Sequence, residues 1–245
     1  MDVIRPFIMH MLLCVLLFLS FEDSCSADIY PEEFAPCVRN YDPETYNASN
    51  INWSIVQNHQ GRIFLANNTG LLVFNGKSWK KIYPFGSDRQ KRIRSLYSDE
   101  ERVYIGAYRE FGYLEFQADG KPIYTSLSEK IADQIGKEDD IWYIKRYADN
   151  VFFIYFNRCY IYNIISGDVR RINVSSSRFF EQEGTLCLSS QTGKFYKYDV
   201  ESETFSAPLA SPLGAYVQNV IEVGEDRYYV TADSGILKQS PDGTN

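Results

Sequence analysis

The repeat unit of this chain is clearest in the segment VYIGAYREFGYLEF at residues 103–116. Two runs of aromatic and β-branched residues flank a polar turn at residues 108–110. Such residues favour β-strands, and two short strands separated by a turn are typical of a β-hairpin. The segment therefore predicts two antiparallel strands joined by a tight turn.

Four other segments follow the same order of strand, turn and strand. Equivalent positions recur every 34 to 49 residues, about 41 on average, which is typical of four-stranded β-propeller blades. The five segments are residues 63–74, 103–116, 152–162, 186–198 and 228–237. A helical pattern is confined to residues 127–136, where we expect one or two turns. We predict an all-β fold, a partial β-propeller of about five four-stranded blades that forms the N-terminal portion of a seven-bladed ring.

Composition and charge exclude two broad classes. The 245 residues include 19 Tyr, 16 Phe and 3 Trp, a bias that suits strands better than helical bundles. The net charge is −7 at pH 7, and basic residues form only short pieces such as those at 80–81 and 89–94. Phosphate backbones are repelled by such a chain on average. An all-α fold and a nucleic acid partner are therefore excluded.

The N-terminal residues have the pattern of a signal peptide. Arg5 precedes an apolar run at residues 11–21, and small residues follow it. The run is too short for a stable membrane anchor. We expect a cleavable signal peptide at residues 1–27, an N-terminal lead-in segment at 28–50, and propeller repeats at 51–245 that are incomplete at the C-terminus.

Cysteine and histidine are scarce beyond the signal segment. Cys37, Cys159 and Cys187 are an odd number without CxxC spacing, so neither a disulfide framework nor a zinc site is indicated. We expect buried free thiols, or one bridge between neighbouring strands that joins Cys159 to Cys187. The single histidine beyond the signal segment, His59, excludes multi-histidine metal sites. No cofactor is expected.

The candidate binding residues lie in the turns between the second and third strands of the blades, where propeller ligands commonly bind. Amide, guanidinium and phenol groups there suit a carbohydrate or another small hydroxyl-rich ligand. Turn geometry alone accounts for Asn and Asp, so the bulky residues 108–110 are the stronger candidates. The predicted ligand-binding residues are Asn67, Asn68, Tyr108, Arg109, Glu110, Asn157, Arg158, Gln191 and Asp233.

Catalytic and metal-binding patterns do not emerge from the repeat. Glu110 and Asp233 resemble the two carboxylates of a glycoside hydrolase in type, but acidic residues share no position among the five units. The acidic residues 138–140 lack the spacing of a calcium loop. We therefore expect no catalytic residue, no metal site and no enzyme activity.

The tryptophans Trp53, Trp79 and Trp142 have two interpretations. Exposed indoles stack on sugar rings, whereas buried ones pack between blades. Their places on strands favour packing in the core. Two alternatives to a binding region also stay open, namely a secreted propeller enzyme acting on polysaccharide and a propeller scaffold for protein interactions.

Several motifs resemble a known group of proteins. They are NWSI at residues 52–55, ANNTGLLVFNG at 66–76, IRSL at 93–96 and VYIGAYREFGY at 103–113. On these motifs the chain resembles the periplasmic β-propeller sensor regions of bacterial one-component regulators and hybrid two-component sensors, whose repeats precede a triple-tyrosine module. The run that ends in Glu-Phe-Gly-Tyr is closer to members with a LuxR-type helix-turn-helix output. The resemblance covers about residues 50–240.

The resemblance implies a location and partners. It implies a periplasmic sensor region of a transcriptional regulator, without chemistry of its own, that binds a carbohydrate or another small molecule. In the full-length relatives a homodimer is expected, and the membrane is reached only through a downstream segment. In the kinase branch the ligands are commonly breakdown products of complex polysaccharides.

Overall fold

The computed structural model describes residues 38–86, 91–137, 140–174, 178–190, 193–207, 209–210 and 214–239. The chain divides into two compact units, Met1–Asn40 and Tyr41–Asn245, and all the elements given below belong to the second. Among the residues described, no helix is long and apolar enough to cross a membrane. The predicted signal peptide, Cys37 and Gln191 lie outside the described residues.

The described chain is almost entirely β-structure. A short helix α1 (Pro43–Tyr46) precedes the strands, and a 3-10 helix (Ser128–Gln134) follows the eighth strand, within the segment predicted to be helical. The strands are β1 (Asn52–Gln57), β2 (Ile63–Asn67), β3 (Gly70–Phe74), β4 (Trp79–Ile82), β5 (Ile93–Ser98), β6 (Val103–Ala107), β7 (Glu110–Phe116), β8 (Pro122–Ser126), β9 (Tyr143–Tyr147), β10 (Asn150–Tyr155), β11 (Arg158–Asn163), β12 (Val169–Ile172), β13 (Arg178–Gln182), β14 (Thr185–Ser189), β15 (Lys194–Asp199), β16 (Thr204–Phe205), β17 (Leu209–Ala210), β18 (Val217–Val223), β19 (Asp226–Thr231) and β20 (Ile236–Gln239).

These strands form five antiparallel sheets that follow one another along the chain. Blades 1 to 3 are β1–β4, β5–β8 and β9–β12; blade 4 is β13–β16 with β17 also paired to β15; blade 5 is β18–β20. The first strands of successive blades are neighbours, in the order β1, β5, β9, β13 and β18. The predicted all-β propeller of five blades is confirmed. The seven-bladed ring stays a prediction.

The hydrophobic core lies in layers between consecutive blades. Phe64 and Leu71 of blade 1 pack with Ile105 of blade 2, and Phe111 of blade 2 lies 4.7 Å from Phe153 of blade 3, between ring centroids. Further layers join blade 3 to blade 4 and blade 4 to blade 5. Each blade has two apolar faces because alternate residues of a strand point to opposite sides of its sheet.

Among the described residues, blades 1 and 5 each have one face against which no other blade packs. On blade 1 that face is partly covered by Tyr41 and Tyr46, whose rings lie 5.4 and 5.8 Å from Trp79. On blade 5, Val223 and Ile236 are exposed. In a closed ring such faces pack against a further blade, which is how propellers bury both sides of every sheet.

The proposed bridge between Cys159 and Cys187 is wrong. Both side chains are buried free thiols. Cys159 belongs to the layer between blades 3 and 4, whereas Cys187 belongs to the layer between blades 4 and 5. On β14 the neighbours Leu186 and Leu188 point toward blade 3, so Cys187 points the opposite way. The alternative interpretation, two buried thiols, is confirmed.

We expect both buried thiols to be unreactive in the folded protein. Burial raises the pKa of Cys187 from its ordinary value of 9.0 to about 11, and raises that of Cys159 further. Because only the thiolate is nucleophilic, a Cys37→Ser protein starting at Asp28 should show no thiol reactive toward Ellman's reagent at pH 8, and two after unfolding in urea. Since the pKa of the Cys187 thiol is raised in the folded protein, burial of the protonated thiol contributes fully to the free energy of unfolding below pH 9. This contribution decreases as the pH rises from 9 to 11. Rapid native labelling of either thiol would contradict the assigned burial.

Candidate functional site

The predicted site residues lie at one end of the blades, which we call the loop face. It carries the turns at 67–70, 107–110, 155–158 and 231–236. The inner strands of the first two blades also begin there, since Asn52 pairs with Asn67 and Ile93 pairs with Ala107. Side chains from the turns and from the inner strands therefore meet at this end of the fold.

The amide of Asn67 is occupied by the protein itself. Its Nδ2 donates to Ser49 O at 2.6 Å, to Ile51 O at 3.1 Å and to Asn52 Oδ1 at 2.8 Å, and its Oδ1 accepts from the backbone and hydroxyl of Thr69. The side chain is fully buried. Asn67 therefore fixes the turn and the start of β1, and its role in ligand binding stays a prediction.

Three predicted residues meet in one cavity on blade 2. Tyr108, Arg109 and Glu110 line a space of about 370 Å³ together with Lys91 and Ser128. The Tyr108 hydroxyl donates to Lys137 O at 2.9 Å, which holds the ring in place. Arg109 is exposed and makes no ion pair with a described residue. The cavity therefore combines a fixed phenol with a guanidinium that forms no ion pair with a described residue.

The backbone of Arg109 is unusual for a large side chain. Its φ is 53°, in the left-handed region, whereas in blades 4 and 5 the residue directly before the third strand is a glycine at positive φ, Gly193 and Gly235. Glycine adopts this conformation without steric cost, and other residues do so at a cost of about 1–2 kcal/mol. Local turn geometry does not explain an arginine at this position.

Glu110 is a structural centre of the blade 2 turn. Its Oε1 accepts hydrogen bonds from Tyr124 at 3.0 Å and from Ser126 and Ser128 at 2.7 Å each, and its Oε2 lies 3.1 Å from Lys91 Nζ. Only 12% of the Glu110 side chain is exposed. Burial, followed by the Glu110 charge, raises the pKa of Tyr124 well above its ordinary value, so that hydroxyl stays a donor. Glu110 therefore orders β7, β8 and the 3-10 helix beside the cavity.

A second group on the loop face joins three blades. The guanidinium of Arg94 lies 4.1 Å from the ring centroid of Trp53 and 4.8 Å from that of Trp142, measured from Cζ. Arg94 Nε donates to Asp140 Oδ2 at 3.2 Å, and Trp53 Nε1 donates to Asn68 Oδ1 at 2.8 Å. We call Trp53, Arg94, Asp140 and Trp142 the indole–arginine cluster.

β-Bulges direct two of these side chains. The pairing of β1 with β2 shifts between Asn52 and Ser54, which leaves Trp53 as the bulged residue, and the pairing of β5 with β6 shifts in the same way around Arg94. Bulges redirect side chains and are common beside functional sites. Trp53 and Arg94 thus occupy equivalent bulges in consecutive blades, and both side chains are brought together at the loop face.

The core interpretation of the tryptophans was wrong for Trp53, which is 43% exposed. Trp79 packs at the outer edge of blade 1 against Phe74, with ring centroids 4.8 Å apart. Trp142 is half-buried, and its ring lies 5.7 Å from that of the exposed Phe156. Trp53 and Phe156 therefore present aromatic surface to solvent on either side of Trp142.

The other predicted residues are not brought into the cavity or the cluster by any described contact. Arg158 Nε donates to Asn157 Oδ1 at 3.0 Å, and its Cζ lies 5.5 Å from the ring centroid of Tyr155. Asp233 is exposed on blade 5 and accepts from Ser234 Oγ at 3.2 Å. Ligand binding by Asn157, Arg158 and Asp233 stays a prediction, as does the absence of enzyme activity. Within the described ranges, no group of three or more His, Cys, Asp or Glu side chains is placed to hold a metal ion.

A larger cavity, of about 800 Å³, lies at the opposite end of blades 1 and 2. Two of its carboxylates are engaged in ion pairs: Asp99 Oδ2 with Arg146 Nη1 at 3.1 Å, and Glu115 Oε1 with Arg102 Nε at 2.8 Å. None of the predicted site residues lines it. This larger cavity and the predicted binding face are therefore at different ends of the blades.

Solved structures with this fold include two of the extracellular domain of BT4673 from B. thetaiotaomicron, called a one-component system in one and a hybrid two-component system in the other. Both match with a TM-score of 0.57 and 16% identity, over 79% and 80% of this chain and 27% of that chain. YCF48 bound to D1 peptide matches with a TM-score of 0.57 and 11% identity, over 85% of this chain and 71% of that chain. No family model and no curated protein sequence matches.

These likenesses establish the fold, which is that of a β-propeller. The extracellular domain of a one-component or hybrid two-component system belongs to the class of protein that the sequence motifs resembled, and that resemblance is confirmed at the level of fold. This chain spans about a quarter of the length of the two BT4673 structures, 27% in each case.

Proposed function

We propose that this chain is an extracytoplasmic, non-enzymatic, ligand-sensing β-propeller region of a bacterial regulator, a one-component or hybrid two-component system. The signal-peptide pattern at residues 1–27 supports export to the periplasm. The likeness to an extracellular domain of such a system supports the class. The intact regulator would be a homodimer that crosses the membrane through a downstream segment and ends in a LuxR-type helix-turn-helix or a kinase module.

The ligand in this proposal is a carbohydrate or another small molecule held at the loop face. Sensing requires that the ligand favours one of two arrangements of the propeller and the module that follows it. A ligand seated across several blades does this when those blades change position relative to one another. The loop face offers such a seat, since Trp53 and Arg94 belong to blades 1 and 2 and Trp142 directly precedes the first strand of blade 3.

The observation that carries the proposal is Arg109. An exposed arginine stands where the turns of blades 4 and 5 have glycine, it lines a cavity, and its guanidinium is free of ion pairs with the described residues. A residue that costs conformational energy and makes no side-chain ion pair with a described residue fits a role outside folding. Guanidinium groups form charge-assisted hydrogen bonds with hydroxyl, carboxylate and phosphate oxygens.

We expect the Arg109→Gly substitution to separate binding from folding. The free energy of unfolding should stay the same or rise by up to about 1 kcal/mol, because glycine accepts φ of 53° without strain. Affinity for an oligosaccharide ligand should fall about tenfold or more, because a charged hydrogen-bond donor is lost. Urea denaturation measures the first quantity, and calorimetric titration against neutral and acidic oligosaccharides measures the second.

Ala148→Gly is the matched control for this experiment. Ala148 has φ of 50° in the turn between β9 and β10, at the opposite end of the blades. The same relief of strain is expected there without any change in affinity. Equal affinities for the Arg109→Gly and Ala148→Gly proteins would contradict a binding role for Arg109, and release of a product from any oligosaccharide would contradict the non-enzymatic assignment.

A further inference from the structure

We propose that the indole–arginine cluster binds an uncharged saccharide, with Arg94 donating to a sugar oxygen, Asp140 accepting from a sugar hydroxyl, and Trp53 stacking on the ring. This inference rests on the proposed sensing function and names its ligand class and a second set of binding residues. None of the four cluster residues was among the predicted site residues. One predicted site residue contacts the cluster: Asn68, whose side-chain oxygen accepts the hydrogen bond of the Trp53 indole.

The cluster contains polar atoms that have no hydrogen-bond partner among the described residues. Arg94 Nη1, Asp140 Oδ1 and Trp142 Nε1 are buried and lack a hydrogen-bond partner among the residues that the structure describes. Only 7% of the Arg94 side chain and 12% of the Asp140 side chain are exposed. An unsatisfied buried polar atom costs about 1–3 kcal/mol, and native proteins keep few of them. Three such atoms around Asp140, whose Oδ2 lies 3.2 Å from Arg94 Nε and 4.0 Å from Arg92 Nη2, indicate a place prepared for an added group.

The unpartnered atoms define the chemistry of the group that would bind beside them. Arg94 Nη1 and Trp142 Nε1 are donors and need acceptors, whereas Asp140 Oδ1 is an acceptor and needs a donor. Neighbouring hydroxyls supply both. A carboxylate or phosphate offers acceptors alone and is repelled by Asp140, and an ammonium offers donors alone and is repelled by Arg94. Although the half-exposed Arg92 adds a second positive charge 4.0 Å from Asp140, the need for both a donor and acceptors therefore favours a neutral polyhydroxylated ligand.

The rings of Trp53 and Trp142 form an aromatic surface beside the ion pair. Saccharide rings present apolar C–H faces that pack on aromatic rings while their hydroxyls form hydrogen bonds at the edge. Trp53 is 43% exposed, so part of its ring is open to such a face. Phe156, 44% exposed, extends the aromatic surface beyond Trp142.

Access to the ion pair requires Trp53 to move. The indole lies on the guanidinium, and the unpartnered atoms are closed to solvent in the present arrangement. Trp53 is held on the loop face by its hydrogen bond to Asn68, a half-buried turn residue. Displacement of the indole would open the pair to a ligand hydroxyl, and the same ring would then pack on the sugar. Because Trp53 belongs to blade 1 and Asp140 precedes blade 3, binding would draw on residues from both sides of blade 2.

The test uses tryptophan fluorescence in a Trp79→Phe background. The chain has 3 tryptophans, so in this background only Trp53 and Trp142 emit. Trp79 lies in the separate aromatic group of blade 1, and the background protein is also the matched control. The probes are maltotriose, cellotriose, xylotriose and mannotriose, with trigalacturonate and chitosan trimer as anionic and cationic counterparts, each followed by fluorescence and by calorimetry.

We expect at least one neutral trisaccharide to bind and to change the emission. Asp140→Asn, which keeps the shape of the side chain, and Arg94→Lys, which keeps the charge, should each weaken that binding about tenfold or more, because each alters a charge-assisted hydrogen bond. Thermal unfolding of each variant establishes that it is folded. If Arg94→Lys unfolds the protein, Asp140→Asn alone decides the outcome.

Three results would overturn the inference. The first is neutral binding that stays within twofold of the background in both variants, which places the ligand elsewhere on the protein. The second is binding of the charged trimers alone. The third is that none of the four neutral trisaccharides binds by fluorescence or calorimetry. The proposed sensing function fails separately, when neither these probes nor a wider screen of small molecules finds a ligand whose affinity depends on Arg109.

Discussion

Substituting Gly112 by alanine should destabilise the propeller by about 3 kcal/mol or more. Gly112 is buried in β7, where it pairs with Ser126 of β8. A Cβ atom at this position would lie 2.1 Å from the backbone oxygen of Thr125 and 2.7 Å from the hydroxyl of Tyr124. Because the first of these is a backbone atom, a rotamer change cannot relieve the clash, and β8 has to move away from β7.

The control for this substitution is Gly76→Ala. Gly76 lies in the hairpin turn between β3 and β4 at φ of 91°, and an added Cβ meets nothing within 4 Å. Its cost should be limited to backbone strain, about 1–2 kcal/mol. Urea unfolding followed by tryptophan fluorescence compares the two variants. A smaller loss for Gly112→Ala than for Gly76→Ala would show that β7 and β8 are not in such close contact.

The blades could be predicted from the sequence because each repeat has a local pattern of short strands and turns. Short runs of Val, Ile, Tyr and Phe between turn residues recur at blade spacing, and the 3-10 helix at Ser128–Gln134 was visible as the one departure from strand patterning. The packing partners of the strands follow from the fold once the blades are in order. Gly112 shows the limit of such reasoning, since its need for glycine comes from Thr125 on the neighbouring strand and not from its own turn.

The candidate site was predicted only in part, and the reason is the β-bulge. Period-two alternation assigns each strand residue to one of two faces, and an inserted residue breaks that rule. Trp53 was therefore assigned to the core, and Arg94 was not named as a binding residue. A signal was available in the related motifs NWSI and IRSL, in which the residue before serine is the bulged one in both blades.

Glu110 is the opposite case, a residue singled out for its chemistry that the fold also uses for support. An acidic side chain in a turn carries no local sign of the hydroxyls that will surround it. Tyr124, Ser126 and Ser128 lie 14 to 18 residues further along the chain and come together only when β8 pairs with β7. The position of the turn was therefore predictable, whereas the function of its carboxylate depended on tertiary contacts.

We expect Glu110→Ala to destabilise the protein by about 3–5 kcal/mol, the range for removing one partner of a buried charge network. The change leaves the hydroxyls of Tyr124, Ser126 and Ser128 without their shared acceptor and leaves Lys91 without its carboxylate. The Tyr124 hydroxyl cannot compensate by ionising, because burial holds its pKa well above the ordinary value. Urea denaturation at pH 7 measures the loss.

Two further substitutions test this structural role of Glu110. Glu110→Gln removes the charge but keeps an acceptor oxygen, and Asp233→Ala removes an exposed acidic side chain elsewhere. Glutamine keeps an acceptor oxygen for the hydroxyls and loses the ion pair with Lys91, so its cost should be smaller, about 1–2 kcal/mol. Asp233, exposed on blade 5, should tolerate alanine with a change of less than about 0.5 kcal/mol. An unchanged free energy of unfolding for Glu110→Ala would contradict the structural role of Glu110. The carboxylate, which folding would then not need, would be available to a ligand in the cavity that Arg109 lines.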